Sequence, residues 1–239
     1  DRFTTQIDAR HKLSDNSNLQ FKNSYSNFNR LITIPTYIFE GVQQSSYSEL
    51  NVNARSETSF WIAGLNFLTD DFNETPHSTI AVRNYHYNTL GMFIQNTWAP
   101  VSNFSLETGI RGDYVKPYGF ELLPRFSAML KITSRFTTRL GGGLGYKTPT
   151  VFNEDAEKIQ FQNILPINEQ TAINETSTGG NLDLNFRTNM GDVNFTINQL
   201  FFYTQLNRPL QLTNTSSGDK EFVNANGHID TKGIETNLR

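Results

Sequence analysis

The sequence contains no cysteine, which removes disulfide frameworks, thiolate metal sites and cysteine nucleophiles. Its 4 histidines fall into none of the spacings of a zinc protease, and no nucleophile elbow or phosphate-binding loop occurs. No apolar run approaches the ~18–20 residues of a spanning helix. A mean hydropathy of −0.48 likewise excludes a helical membrane protein. Charge is scarce, at 18% of residues against roughly 25% in an ordinary domain. The net charge of −3, with no basic stripe, argues against nucleic acid as a partner. What is abundant is aromatic: 19 Phe and 9 Tyr in 239 residues. Asn, Thr, Ser and Gln supply most of the polarity. That mixture suits strands with one apolar aromatic face and one uncharged polar face.

Period-two alternation recurs along the chain, and helical periodicity is rare. Phe104, Leu106, Thr108, Ile110, Gly112 and Tyr114 alternate with Ser105, Glu107, Gly109, Arg111 and Asp113. Phe126, Ala128, Leu130 and Ile132 alternate with Arg125, Ser127, Met129 and Lys131. The pattern predicts about eleven strands, at roughly 2–13, 18–29, 47–56, 58–68, 88–98, 103–115, 122–132, 135–146, 176–188, 192–205 and 229–239. Several match the ~9–11 residues that cross a bilayer at a tilt. The connections sort by length. Ser14–Ser17, Ala99–Asn103, Thr133–Ser134 and Asn189–Asp192 are short, whereas 30–46, 69–88, 147–175 and 206–228 are long. In an up-and-down meander this puts short turns at one end and long loops at the other, as in outer-membrane barrels. The fold expected is all-β: an antiparallel up-and-down transmembrane β-barrel, present in part. A soluble all-β domain of long hairpins is the alternative.

Residues 122–154 read LLPRFSAMLKITSRFTTRLGGGLGYKTPTVFNE. Pro124 ends a loop, Arg125 opens a strand, Thr133–Ser134 turns it, and a Gly-rich run leads to Lys147-Thr148-Pro149. This hairpin resembles that of the TonB-dependent outer-membrane receptors. LGMFIQNTWAPVSNFSLETGIRGDY (90–114), ETSTGGNLDLNF (175–186) and GIETNL (233–238) resemble the same family in the same order. The resemblance implies that 1–239 is part of a receptor barrel of ~22 strands, without the N-terminal plug domain. The chain starts at Asp1 and ends within a strand pattern, so a piece of a longer protein is expected. The resemblance also implies a bacterial outer-membrane location, outer-membrane lipid around the barrel, and a TonB complex acting through the missing plug region. It implies uptake of a ligand such as a ferric siderophore, with no covalent chemistry and so no enzyme. A passive porin-like barrel without a plug is the alternative; a barrel enzyme or soluble module fits less well.

Gly141, Gly143 and Gly145 fall on the polar phase of their strand. Absent side chains there let another backbone lie close to the wall, or merely ease strand curvature. With Glu107, Arg111, Arg125 and Arg139 they form the expected plug-facing wall, in a polar set that also holds Asp113, Lys131, Asp183, Arg187 and Glu235. Hydrated lumen charge is the plainer reading of that set. The long loops offer Arg83, Tyr85, His86, Tyr87, Lys147 and Arg208 as ligand contacts. Arg83 and Lys147 would steer an anionic chelate inward, and Tyr85 and Tyr87 would stack on its aromatic parts. Alternatively the loops pack on themselves, with Arg83 paired to a loop carboxylate such as Glu74. Trp61, Phe67, Tyr87, Trp98, Tyr114, Phe136, Tyr146 and Tyr203 stand near strand ends, where a lipid-facing barrel carries its girdles. Asp70-Asp71 with Asn73 and Glu74 lacks the spacing of a calcium loop, so no metal or cofactor is expected.

Eleven of ~22 strands leave two unpaired edges. Residues 1–239 expressed alone should therefore need detergent or aggregate. Size-exclusion chromatography without detergent checks this: a monodisperse monomer that unfolds cooperatively would contradict the membrane reading.

Overall fold

The computed structural model describes residues 1–77 and 80–239. Eleven strands form one antiparallel sheet. In chain order they are β1 (Arg2–Ser14), β2 (Ser17–Ile34), β3 (Tyr37–Arg55), β4 (Ser59–Glu74), β5 (Tyr85–Val101), β6 (Phe104–Lys116), β7 (Gly119–Lys131), β8 (Phe136–Lys147), β9 (Glu175–Met190), β10 (Val193–Asn207) and β13 (His228–Leu238). Each is hydrogen-bonded to its sequence neighbour, except that β13 follows β10 after an excursion. The excursion is a small hairpin, β11 (Leu210–Asn214) with β12 (Lys220–Asn224). The β8–β9 connection carries one short helix, α1 (Glu154–Lys158), capped where the Asn153 side chain accepts from the Asp155 N–H. An up-and-down meander of this kind has all its even connections at one end and all its odd ones at the other.

Register assigns the faces, because side chains exactly opposite one another share a side of the sheet. One face carries Leu65↔Met92, Ile94↔Ile110, Leu90↔Tyr114, Tyr114↔Phe120 and Leu140↔Leu182. Many of these are substantially exposed, Leu140 at 51% and Met92 at 63%, though they are large and apolar. The other face carries Lys22↔Glu49, Gly91↔Asp113, Met129↔Arg139 and Arg139↔Asp183. The long loops fold over this second, polar face, which is hereafter the inner face. Phe104, Leu106, Ile110, Leu130, Leu140 and Leu144 therefore point outward and Glu107, Arg111, Arg139 and Gly143 inward, as the alternation predicted. Trp61, Phe67, Trp98, Tyr114 and Tyr203 are exposed on the outer face.

The strands are longer than the pattern predicted, and this corrects several connections. Residues 30–46 are not a loop. β2 and β3 continue through them to a turn at Pro35–Thr36. Ile32 faces Phe39 across the ladder, and proline, with fixed φ and no N–H, sits where pairing stops. The expected loop 69–88 shrinks to the span between Glu74 and Tyr85, so Tyr85, His86 and Tyr87 are strand residues. Ser78 and Thr79, within that expected loop, lie outside the described residues. The turns at 35–36 and 117–118 are also short, although they lie at the long-loop end. At 35–36 strict sorting by length fails because β2 and β3 stay paired beyond the end of β4.

Two further expectations about aromatics change. Tyr87 is buried in the inner-face cluster described below. Tyr146 turns inward, its hydroxyl donating to Asp113 Oδ2 at 2.9 Å. The cause lies at Pro124, which cannot donate to a ladder: β7–β8 pairing ends at Arg125↔Gly143, and the last residues of β8 leave β7.

The outer face makes a direct prediction. Leu140→Arg should cost roughly 2–4 kcal/mol if that face meets hydrocarbon. Arg139→Leu, one residue away on the inner face, should cost far less. Urea midpoints of the two variants in the full receptor, refolded into vesicles, check the register; equal costs would contradict it.

Candidate functional site

The inner face near the long-loop end is roofed by its own chain. Residues 148–174 and the β11–β12 hairpin cross to β2–β5 and bury a shared apolar cluster. Phe161 stacks on Phe39 with ring centroids 4.3 Å apart, and Phe152 meets Phe72 edge-on at 5.0 Å. Tyr85 and Tyr87 stack at 4.7 Å, with Tyr118 beside them. Val151, Ala156, Ile164, Leu210 and Phe222 fill the space between roof and wall. Burial of this many aromatic rings holds the cap down without any covalent tie.

At the centre of the cap lies Arg83, only 4% exposed. Its Nε donates to Glu74 Oε2 at 2.8 Å, and Nη2 donates to the Tyr37 hydroxyl at 2.9 Å. Nη2 also pairs with Glu74 Oε1, and Nη1 donates to the Phe161 carbonyl. The guanidinium lies over the Phe39 ring at 5.0 Å. Burial opposes its charge, but the hydrogen bonds and charge from Glu74 and Tyr37 outweigh that and hold its pKa above the usual arginine range. A second guanidinium works nearby: Arg30 pairs with Glu157 at 3.1 Å and lies over Phe161 at 5.0 Å. Both arginines stand on the wall or its rim, and both grip the loop that crosses it.

The six expected ligand contacts therefore separate. Arg83, Tyr85 and Tyr87 come together, but inside the cap. Arg83 has no free face for steering, and the two tyrosine rings are covered by each other and by the roof. The loop carboxylate Glu74 is its partner, and the pair is buried, not a surface pair worth ~0–1 kcal/mol. His86 points to the outer face, paired with Asp71 and 2.9 Å from Asn88 Nδ2. Lys147 is exposed, 3.8 Å from Glu175, whose Oε1 accepts from the Leu210 N–H at 2.7 Å. Arg208 is exposed at the base of the hairpin with φ at +52°, its carbonyl accepting from Asn224 Nδ2. Lys147 and Arg208 thus mark where the two roof segments leave the wall. Arg30, Tyr37 and Phe39 were missed as anchors. Their only signal was the density of apolar residues around Pro35, Leu31-Ile32 before it and Tyr37-Ile38-Phe39 after it.

Below the cap the inner wall is a polar lattice. Asp113, 1% exposed, accepts from Arg111 Nε at 2.8 and 2.9 Å and from Tyr146. Gly91 stands opposite Asp113; a Cβ there would collide with the carboxylate and with Asn66. Arg125 pairs with Glu107 at 3.3 Å and donates to Gln95. Glu49, Gln95, Arg111 and Arg125 line a recess of about 320 Å³. Arg139 lies 3.7 Å from Met129 sulfur and opposite Asp183. Gly141 and Gly143 share this face, opposite Ser127 and Arg125, and Gly145 faces Ser177. Gly143 also meets Gly179 across the ladder, so the wall there is nearly bare backbone. Among the described residues no group of three or more His, Cys, Asp or Glu side chains could hold a metal ion. Alternation explains why Asp70 and Asp71 do not cooperate: Asp70 accepts from Gln43 on the inner face, while Asp71 meets His86 on the outer.

These features were compared with known proteins. The chain is similar to the siderophore receptor PirA from Pseudomonas aeruginosa, with TM-score 0.67, 14% identity, and coverage of 99% of this chain and 53% of that one. It is similar to the FrpB iron transporter from Neisseria meningitidis (F5-1 variant), at TM-score 0.77, 15% identity, 99% and 41%. The copper transporter OprC matches at TM-score 0.74, 12% identity, 99% and 43%. This chain thus spans about half or less of each of those structures. No curated protein matches it. The family model for the TonB dependent receptor-like β-barrel matches residues 1–239 throughout. The eleven-stranded meander with its apolar outer and polar inner faces belongs to the TonB-dependent receptor β-barrel family.

Proposed function

We propose that this chain forms half of the wall of an outer-membrane receptor that takes up a ligand such as a ferric siderophore, energised through TonB. The carrying observation is the family match over the whole chain, joined to a polar inner face roofed at one end. The solved structures similar to it are receptors and transporters, among them siderophore and iron proteins. The outer face, with its half-exposed Leu, Ile, Phe and Trp, meets the hydrocarbon of the outer membrane. A plug domain supplied by the rest of the protein packs on Glu107, Arg111, Arg125, Arg139 and the bare backbone at Gly141, Gly143 and Gly145. TonB acts on that plug. Ligand arrives at the long-loop end, where Lys147 and Arg208 remain exposed. His86 stands outside this path. Arg83, Tyr85 and Tyr87 serve ligand entry indirectly, through the cap they hold together. A porin-like barrel without a plug is not favoured, because the match is to the receptor barrel family.

The mechanism assigned to this half of the wall is one of shape and electrostatics. Asp113 itself is satisfied within the wall by Arg111 and Tyr146, so it holds geometry, while the neighbouring Asn66 Nδ2 is buried without a partner among the described residues. The recess beside Arg111 and Arg125 leaves cationic hydrogen-bond donors for a plug surface. The cap sits across the mouth and must shift for a bulky ligand to pass.

Three measurements test this reading. Uptake of a panel of radiolabelled iron chelates by cells expressing the full receptor should fall to background when TonB is deleted; TonB-independent uptake would instead support a porin. Arg83→Ala leaves Glu74 buried without its partner, a loss of about 3–5 kcal/mol in comparable sites. It should loosen the cap and speed protease cleavage within 148–174, whereas Arg30→Ala, whose ion pair is more exposed, should do so much less. Cleavage rates equal to wild type would remove Arg83 as the anchor. Lys147→Ala with Arg208→Ala should weaken binding of anionic chelates at low salt and matter little at high salt. Unchanged uptake at both salt levels would take them off the ligand path.

A further inference from the structure

The charges of the inner face are balanced across the middle of the wall and unbalanced at the short-turn end of β7–β9. In the middle, Lys22 pairs with Glu49 at 3.3 Å, Arg111 with Asp113 at 2.8 Å and Arg125 with Glu107 at 3.3 Å. Toward the short turns, Lys131 ends β7, Arg135 and Arg139 lie just before and within β8, and Arg187 lies on β9. Register puts Lys131 opposite Thr137, Thr137 opposite Asn185 and Arg139 opposite Asp183, all on the inner face. One step nearer the turns the Arg187 N–H donates to the Arg135 carbonyl at 2.8 Å. Alternation with the outward pair Phe136↔Phe186 turns both arginines inward. All four cations are exposed, and none forms an ion pair among the described residues. Arg187 Nε donates to Asn185 Oδ1 at 3.0 Å, and Arg139 meets the Met129 sulfur. Asp183, the one carboxylate in these rows, accepts from Asn198 Nδ2 at 2.8 Å.

Like charges directly opposite each other weaken a ladder. Arg135 and Arg187 stand so at the end of β8–β9, in a chain whose net charge is −3. The patch therefore calls for a counter-charge from outside these residues. The wall above it points to the source. From the cap end toward the turns, the inner face of β8 runs Gly145, Gly143, Gly141, Arg139 and Thr137, and alternation adds Arg135. Bare backbone lets a second protein surface come close, and the cations meet that surface where it continues past the glycines. The cap stands at the other end of the sheet, so the patch is no part of the roofed mouth. This chain covers 53% and 41% of two structures it resembles, and proteins of that length have further chain to supply such a surface.

We propose that Lys131, Arg135, Arg139 and Arg187 form a socket for a carboxylate-rich stretch of the plug, which sets its acidic side against the short-turn end of β7–β9. The proposal rests on the plug reading above and adds the sign of the contact and its place. Close backbone contact at Gly141, Gly143 and Gly145 sets how near the plug lies. The four cations below set which way it faces, because an uncharged or basic surface there would leave them repelling one another. Attraction between exposed charges weakens with salt, whereas close packing against the glycines does not.

The experiment uses the purified full receptor in mild detergent, with Thr137 replaced by the photoreactive residue p-benzoylphenylalanine, which sets the probe among the four cations. Irradiation and peptide mass spectrometry should find an adduct within the receptor's own chain, outside residues 1–239, on a peptide rich in Asp and Glu. Raising salt from about 0.01 M to about 1 M shortens the Debye length from ~30 Å to ~3 Å and should cut the yield severalfold. Arg135→Gln with Arg187→Gln should lower the low-salt yield to that high-salt level and remove the salt dependence. Lys158→Gln, in the cap, should change neither. Heat-modified gel migration reports folding of each variant; Asn185 replaces Thr137 as the probe position, and Lys131→Gln with Arg139→Gln replaces the double variant, where the first choice does not fold. An adduct on a peptide without carboxylates, or a yield indifferent to salt and to the arginines, would overturn the acidic partner. An adduct to a different protein alone, or none, would overturn the plug as the occupant. Uptake that proves TonB-independent while the crosslink stands would overturn the receptor reading and leave the socket in place.

Discussion

The antiparallel ladder is the constraint from which the rest follows. In a strand, adjacent side chains point to opposite faces, and in a ladder each residue shares its face with its partner. Once Ile94 is set opposite Ile110, the orientation of Glu107, Arg111 and Asp113 is fixed, and so is that of the laddered residues of β6, β7 and β8 as far as Gly143. A one-residue slip anywhere would put Arg111 and Asp113 among the outer leucines. The buried Asp113 carboxylate, paired with Arg111 on the inner face, and the apolar rows on the outer face penalise that slip together. Gly91 belongs to the same constraint, because Asp113 needs the space its absent side chain leaves.

The cap uses a different physics. Its segments join strands far apart in the sheet from the strands they cover, so no ladder positions them. Apolar burial brings Phe161, Phe152 and Val151 onto the wall, and buried cations make the fit specific. Arg83 is held by a carboxylate, a phenol, a carbonyl and a ring face, which together replace the water it has lost. Arg30 is the more exposed counterpart on β2. The result is a roof whose fit to the wall depends on a few charges set among rings.

Glycine and proline have distinct local tasks. Pro35 ends the tallest hairpin, and Pro124 ends the β7–β8 pairing and frees Tyr146 to reach Asp113. The glycine run thins the wall on both faces, since Gly141 and Gly143 face inward and Gly142 outward. The sequence pattern displays only one of these faces clearly, because the inner glycines alternate with leucines and the outer one sits in their midst.

The alternation of Phe, Leu and Ile with charged and small residues was enough to establish the all-β class, the eleven strands of the main sheet, their order and the two faces, because a local period of two is all that a meander requires; the β11–β12 hairpin, inside the expected loop 206–228, was missed. The hairpin around Pro124 and Gly141–Gly145 carried the family likeness for the same local reason. Where strands would end was less legible: residues 30–46 looked like an aromatic loop because Ile32, Tyr37 and Phe39 break the expected polar pattern above the sheet. They are apolar because the cap covers them, and the cap comes from residues more than a hundred positions later. Likewise nothing local separates an arginine that meets a ligand from one, such as Arg83, that is sealed beneath Phe161. That difference belongs to the tertiary structure alone, since it depends on which distant segment folds across the sheet and takes the place of water.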